Sequence, residues 1–170
     1  RIMAGTVEPD SGTVRRGGGA TIAVLDQDAR LPPGTVREAL GSGWEAEAIL
    51  DRLGMGAMLD ARTEDLSGGE ARRVALAATL VADADLLILA EPTNHLDIAA
   101  IHWLEERLAA HPGGLLLVSH DRHLLDRVAT RVIELDRGKA YLHSGGYDGF
   151  LAGRAEREAQ ATRQEDVRRN

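Results

Sequence analysis

Apolar residues recur along this chain in two rhythms, short continuous runs and stripes at helical spacing, and the second half alternates them regularly. The runs at residues 86–89, 115–118 and 132–135 read as strands, since each is brief and rich in Leu, Ile and Val. Between them, residues 70–81 predict a helix. So do Ile101, Leu104 and Leu108, and then Leu124, Leu125 and Val128, each set repeating at three or four residues. Buried strands alternating with amphipathic helices imply an α/β fold of parallel strands covered by helices. The three strands are expected to lie in one parallel sheet, with Glu91 and His120 at their C-terminal ends. Gly138 marks a turn into a last strand at residues 140–142.

The first half is punctuated by Gly and Pro. Gly17-Gly18-Gly19 precedes an apolar strand at residues 20–25, and Pro32-Pro33-Gly34 forms a loop. Thr35 can cap a short helix running through Leu40. Residues 44–53 form a second helix with Ile49, Leu50 and Leu53 on one face, ended by Gly54 and Gly56. From about residue 151 the apolar stripe disappears. Residues 152–170, rich in Ala, Glu, Gln and Arg, read as a helix that needs a partner or a linker that frays.

Composition narrows the class. Hydrophobic residues make up 44% and charged residues 28%, a globular balance, and aromatics only 3%, so the core must be Leu, Val, Ile and Ala. With no cysteine, disulfides and thiolate metal sites are excluded. No apolar run of about 18 residues occurs, and the N-terminus lacks the apolar run of a signal peptide, so a cytoplasmic protein without a membrane span is expected. The net charge of −7 argues against a surface that coats nucleic acid, and no direct DNA binding is expected.

Leu66-Ser67-Gly68-Gly69-Glu70 combines two demands. Ser67 as N-cap and Glu70 three residues later make a capping box. A capping box does not need two adjacent glycines, which weaken a helix. Glycines there let a phosphate approach bare N–H groups at the positive helix end. Twenty residues on, Leu86-Leu87-Ile88-Leu89-Ala90-Glu91 is a buried strand ending in a carboxylate, followed by Pro92-Thr93-Asn94-His95-Leu96-Asp97. His120 follows the next strand in Val118-Ser119-His120-Asp121-Arg122, and Gln27 follows the strand at 20–25.

These motifs resemble those of ATP-binding cassette (ABC) ATPases, over nearly the whole chain to about Arg157. The first resembles the signature that closes over the nucleotide of a facing cassette, through Ser67, Gly68, Gly69 and Glu70. The strand ending in Glu91 resembles the Walker B strand, whose terminal Glu polarises the attacking water. Residues 92–97, with Asn94 and Asp97, resemble the D-loop in wording typical of the ABC-F branch. His120 resembles the switch histidine that contacts the terminal phosphate. Gln27 resembles the glutamine that senses magnesium and the γ-phosphate. Ile101-His102-Trp103-Leu104-Glu105, Leu135-Asp136-Arg137-Gly138-Lys139 and residues 145–151 look like the first cassette of Uup-type ABC-F proteins.

Two departures stand against this pattern. The family has Asp before the catalytic Glu, where it holds magnesium through water; here Ala90 occupies that place, and a methyl group cannot. No Gly-x-x-x-x-Gly-Lys-Ser/Thr occurs, and residues 1–12 resemble the segment just beyond that phosphate loop in the family.

The resemblance implies a partial ABC ATPase domain at residues 1–150, like other P-loop NTPases mostly a parallel sheet with flanking helices, with a small helical subdomain at 28–65. An interdomain linker helix would begin at 151–170. It implies ATP and Mg2+ as cofactors, a second cassette as partner, and ATP hydrolysis coupled to a ribosome-associated task such as translation regulation or antibiotic resistance. Glu91 and His120 would be catalytic. The chain by itself is expected to be inactive. Two other readings remain: a non-catalytic binding or dimerisation fragment, supported by Ala90, and the nucleotide-binding subunit of a membrane transporter, which the Asn94-His95-Leu96-Asp97 wording speaks against.

Overall fold

A computed structural model describes the backbone of every residue except Ala29, Ser42 and Asn170; side chains are described throughout except at 158, 160–162 and 164–169. The chain forms two compact units, Arg1–His120 and Asp121–Asn170.

The first unit is built on a parallel sheet of β1 (Ile22–Leu25), β2 (Leu86–Ala90) and β3 (Gly114–Val118), with β2 in the middle. Leu25 pairs with Leu89, Leu89 with Leu117 and Ala90 with Val118, so all three strands end along one edge. Burial follows position in the sheet. Leu87, Ile88 and Leu89 of β2 are buried, as a strand flanked on both sides should be, whereas the leucines of β3 are only half covered. At the opposite edge Asp85 accepts from both the N–H and the hydroxyl of Thr21, at 2.8 and 2.9 Å, which pins the starts of β1 and β2 together.

Among the described residues four α-helices and two short 3-10 turns complete this unit, the α-helices being α1 (Val36–Leu40), α2 (Trp44–Arg52), α3 (Gly68–Val81) and α4 (Ile98–Ala109). Thr35 caps α1 through a capping box with Glu38. Ile49, Leu50 and Leu53 are buried, as the spacing predicts. α3 packs against α1, α2 and β1, contributing Val74, Leu76, Ala77 and Leu80 to the core. Leu104 and Leu108 are the buried anchors of α4.

The second unit holds α5 (Arg122–Val128), β4 (Arg131–Asp136), β5 (Lys139–Ser144) and α6 (Tyr147–Arg169). Here one expectation fails. Residues 132–135 do not join a parallel sheet: β4 pairs antiparallel with β5 as a separate two-stranded sheet. The antiparallel pairing follows from the link between them. Only Arg137 and Gly138 connect the strands, both with positive φ (46° and 76°), the geometry of a two-residue hairpin turn. A parallel β5 would need a crossover of a dozen or more residues. α6 lies on the hairpin, close enough that Gly153 leaves no room for a Cβ, which would sit 2.5 Å from Nδ1 of His143. On that face Glu134 accepts from Arg157 at 2.7 and 2.9 Å and contacts Nε2 of His143 at 3.1 Å.

Candidate active site

Parallel strands place the residues that follow them at one edge of the sheet, and three of the expected site residues follow these strand ends, two of them in contact. Gln27 lies two residues beyond β1, Glu91 directly beyond β2 and His120 two beyond β3. The Glu91 carboxylate is only 16% exposed. One oxygen accepts from the His120 backbone N–H at 3.3 Å, and the other lies 3.6 Å from Nε2 of the same residue. The His120 ring is 98% exposed, so it faces solvent beside a sheltered carboxylate.

Glu91 also has unusual backbone geometry, with φ of 47° in the left-handed region. Side chains other than Gly, Asn and Asp rarely adopt it, and such strain persists only where surrounding contacts impose it. Here the Glu91 N–H donates to the Val118 carbonyl at 2.6 Å, and the Glu91 carbonyl accepts from Asn94 at 3.4 Å and from Arg72 at 3.0 Å. The chain then turns through residues 92–97. His95 is also left-handed, at φ 66°. Asp97 serves as the N-cap of α4, accepting from the Ala100 N–H at 2.8 Å, and Asn94 is exposed.

α3 begins where the sequence predicts. Ser67 is its N-cap, its N–H donates to Glu70 at 2.8 Å and the Glu70 N–H donates back to Ser67 Oγ at 3.4 Å. Hydrogen bonds from the Ser67 hydroxyl and N–H hold the Glu70 carboxyl below its ordinary value. Ser67 and Gly68 are exposed and Gly69 half-exposed, so this helix start is not covered by the core. The N–H groups of Gly68 and Gly69 precede the first intrahelical bond, from Ala71 to the Ser67 carbonyl. With the dipole of a 14-residue helix behind them, they suit an anion such as a phosphate. The His95 ring lies beside Gly69, and Arg73 donates to the His95 carbonyl at 3.2 Å.

A magnesium site is less well provided for. Ala90 presents a methyl group, Gln27 is exposed, and among the described residues no group of three or more His, Cys, Asp or Glu could hold a metal. The donors present do not by themselves fit Mg2+.

Arg72 is the residue that sequence reasoning missed. It is 8% exposed, and its guanidinium donates to four carbonyls around the site, those of Asp26, Gln27, Ala90 and Glu91. The signal was available. Arg72 stands four residues before Leu76 and eight before Leu80 on the buried stripe of α3, where a cation is out of place unless it is bonded.

Polar residues gathered outside the carboxyl ends of adjacent parallel strands, beside a glycine-bearing helix start, define a ligand-binding α/β protein of the nucleotide-handling kind. The family model described as ABC transporter matches residues 1–94. The chain belongs to this ATP-binding cassette family. It is similar to the energy-dependent translational throttle protein EttA of Mycobacterium tuberculosis, at 36% identity over 206 residues, covering 94% of this chain and 37% of that protein. It is also similar to the tylosin resistance ATP-binding protein TlrC of Streptomyces fradiae, at 45% identity over 132 residues, covering 77% and 24%. These relatives are ABC-F proteins. Among solved structures, the archaeal ribosome recycling factor aABCE1, in complex with ribosomal stalk protein aP1, superposes with a TM-score of 0.71 at 31% identity, covering 89% of this chain and 33% of that one. The chain thus spans roughly a quarter to two fifths of the length of these proteins. Among the described residues, no helix is long and apolar enough to cross a membrane.

Proposed function

We propose that this chain supplies the general base and the signature helix of an ATP-hydrolysing cassette, in a protein that couples ATP to a ribosome-associated task. The observation that carries this is the sheltered Glu91 carboxylate, held at a parallel strand end against His120. In this reading Glu91 accepts the proton of the attacking water, and its left-handed backbone directs the carboxylate along the sheet edge. The exposed His120 ring is placed to bond a terminal phosphate, and Gln27 sits across the strand ends as the sensing residue. Ser67 and the bare N–H groups of Gly68 and Gly69 serve the nucleotide of a facing cassette, so two cassettes are needed. Glu70, Asn94 and Asp97 shape the two turns that carry these groups.

Magnesium bound with ATP would supply charge neutralisation in phosphoryl transfer, and this chain offers it few donors. Since Ala90 withholds a carboxylate, turnover with this residue is slow, and the chain Arg1–Asn170 neither holds ATP tightly nor hydrolyses it. Residues 1–150 form the cassette portion, with 28–65 as its helical subdomain and 151–170 as the start of a linker. Similarity to a translational throttle, a tylosin resistance protein and a ribosome recycling factor supports a ribosomal partner.

Four proteins test this: the chain, the chain extended upstream through a phosphate loop, and each with Ala90→Asp. Calorimetry should detect ATP binding only in the extended forms. Phosphate release should be slow in the extended form with Ala90 and faster by about 10–100-fold with Ala90→Asp, the usual scale of support to a metal site. Glu91→Gln in the extended Ala90→Asp form should abolish it. Fast hydrolysis by the unextended chain refutes the proposal. No gain from Ala90→Asp favours the non-catalytic reading.

A further inference from the structure

The guanidinium of Arg72 reaches two chain segments that are 63 residues apart in sequence, and the carbonyls it chooses are not arbitrary. Nη1 donates to the carbonyls of Asp26, at 3.2 Å, and Gln27, at 2.7 Å. These belong to the two peptide groups that flank the Gln27 Cα. Nη2 donates to the carbonyls of Ala90 and Glu91, the latter at 3.0 Å. These belong to the two peptide groups that flank the Glu91 Cα. Fixing the peptide planes on either side of a Cα fixes its φ and ψ. One planar group therefore sets the backbone of both residues at once.

We infer that Arg72 is a positioning residue that holds Gln27 and Glu91 in a single shared geometry, so that neither can shift its backbone without the other. The inference rests on the roles proposed above for those two residues.

Three observations support it. Glu91 is left-handed, a conformation that needs external bonds to persist, and Arg72 supplies one to its carbonyl and one to the carbonyl before it. Arg72 is buried while its bonds go to neutral carbonyls, so the charge is kept inside for its hydrogen-bond geometry and not for an ion pair; among the described residues it makes none. Its Nε is buried without a partner, so the fork is committed wholly to the two strand ends. Arg72 also sits on α3 four residues beyond Gly68. Displacement of the helix start by a ligand would therefore be felt at both loops through one buried, hydrogen-bonded side chain. Lysine cannot replace it: a single ammonium has three donors at one point and cannot span two pairs of carbonyls.

The test uses the full-length protein carrying Ala90→Asp, with Arg72→Lys and Arg72→Gln compared for ATP affinity, turnover and amide hydrogen exchange. We expect ATP affinity to stay within about threefold while kcat falls by about 10²-fold, the scale of a misplacement near 1 Å in an active site. The Glu91 amide, which donates to Val118, should exchange faster while the rest of β2 keeps its protection. Combining Arg72→Lys with Gln27→Ala should lose less than the product of the two single losses, because both act through the same loop. The inference is overturned if Lys restores turnover, if the losses multiply, or if both variants simply unfold, which would make Arg72 a fold residue. Glu91→Gln separates the two layers. If it leaves turnover intact, the assigned base is wrong; if it abolishes turnover while the Arg72 variants behave as the parent, only the coupling fails.

Discussion

Replacing Gly68 by Ala should make the protein more stable and less active, and the opposite signs are what make the test informative. Gly68 is the first residue of α3, has no positive φ, and a Cβ built on it would meet nothing within 4 Å. No steric cost therefore opposes the gain in helix propensity, about 0.5–1 kcal/mol for Gly→Ala in a helix interior and less at this first position. At Gly69 a Cβ would touch the His95 ring at 3.5 Å, an ordinary contact, so the double replacement should gain about 0.5–1 kcal/mol, below twice the interior value because both sites lie in the first turn. For a chain of 170 residues, each kcal/mol raises Tm by about 2–4 °C. If the glycines are present so that phosphate oxygens can approach the N–H groups, the added methyls stand in that path. Losing one such donor costs about 10²–10³-fold in kcat. Urea unfolding followed by circular dichroism reads the first effect, and phosphate release by the full-length protein carrying Ala90→Asp reads the second. A stabilised variant with unchanged turnover would show that Gly68 and Gly69 serve no ligand. A destabilised one would show that the space around them is not open.

The second unit allows two further checks. Gly149→Ala, normally a gain in a helix, should here destabilise by about 1–3 kcal/mol, because its Cβ would run into the Ser144 backbone carbonyl and neither can step aside; a raised Tm would refute the close packing of α6 on β5. Burial alone would raise the Glu134 carboxyl, but hydrogen bonds from Arg157 and His143 outweigh it and hold it below 4.5. A carboxyl lowered in the folded state adds stability that is full above its unfolded value and is lost as pH falls through the folded one. Glu134→Gln should therefore lower stability near neutrality and flatten its decline in acid; an unchanged acid limb would sink that assignment.

Local patterns carried most of the fold. The run at 86–89 lies between Asp85 and Ala90-Glu91 and in the middle of the sheet, where both faces must be apolar, so its burial could be read directly. The Ser67/Glu70 spacing fixed the start of α3 to the residue because capping is a short-range interaction. The partner of β4 was not readable in the same way. Arg137 is a poor candidate for a left-handed turn position, and nothing in the apolar run at 132–135 distinguishes a parallel neighbour from a hairpin. Strand-end reasoning brought Glu91 and His120 to one sheet edge, where the structure has them 3.6 Å apart. It could not reveal the positive φ of Glu91 or the grip of Arg72, since both arise from residues tens of positions away.

The left-handed backbone at Glu91 limits which substitutions can interrogate its chemistry. Gln keeps the shape of the side chain, so activity lost in that variant reports on the carboxylate; Asn tolerates the conformation by nature but is one methylene shorter, so it changes reach as well. Val or Ile, branched at Cβ, would be forced out of that region. The turn after β2 would then rebuild itself, carrying residues 92–97 and the His95 contact with Gly69 along. An inactive Glu91→Val would say nothing about proton transfer. At this position the backbone decides which genetic experiments have a chemical meaning, before the side chain is considered at all.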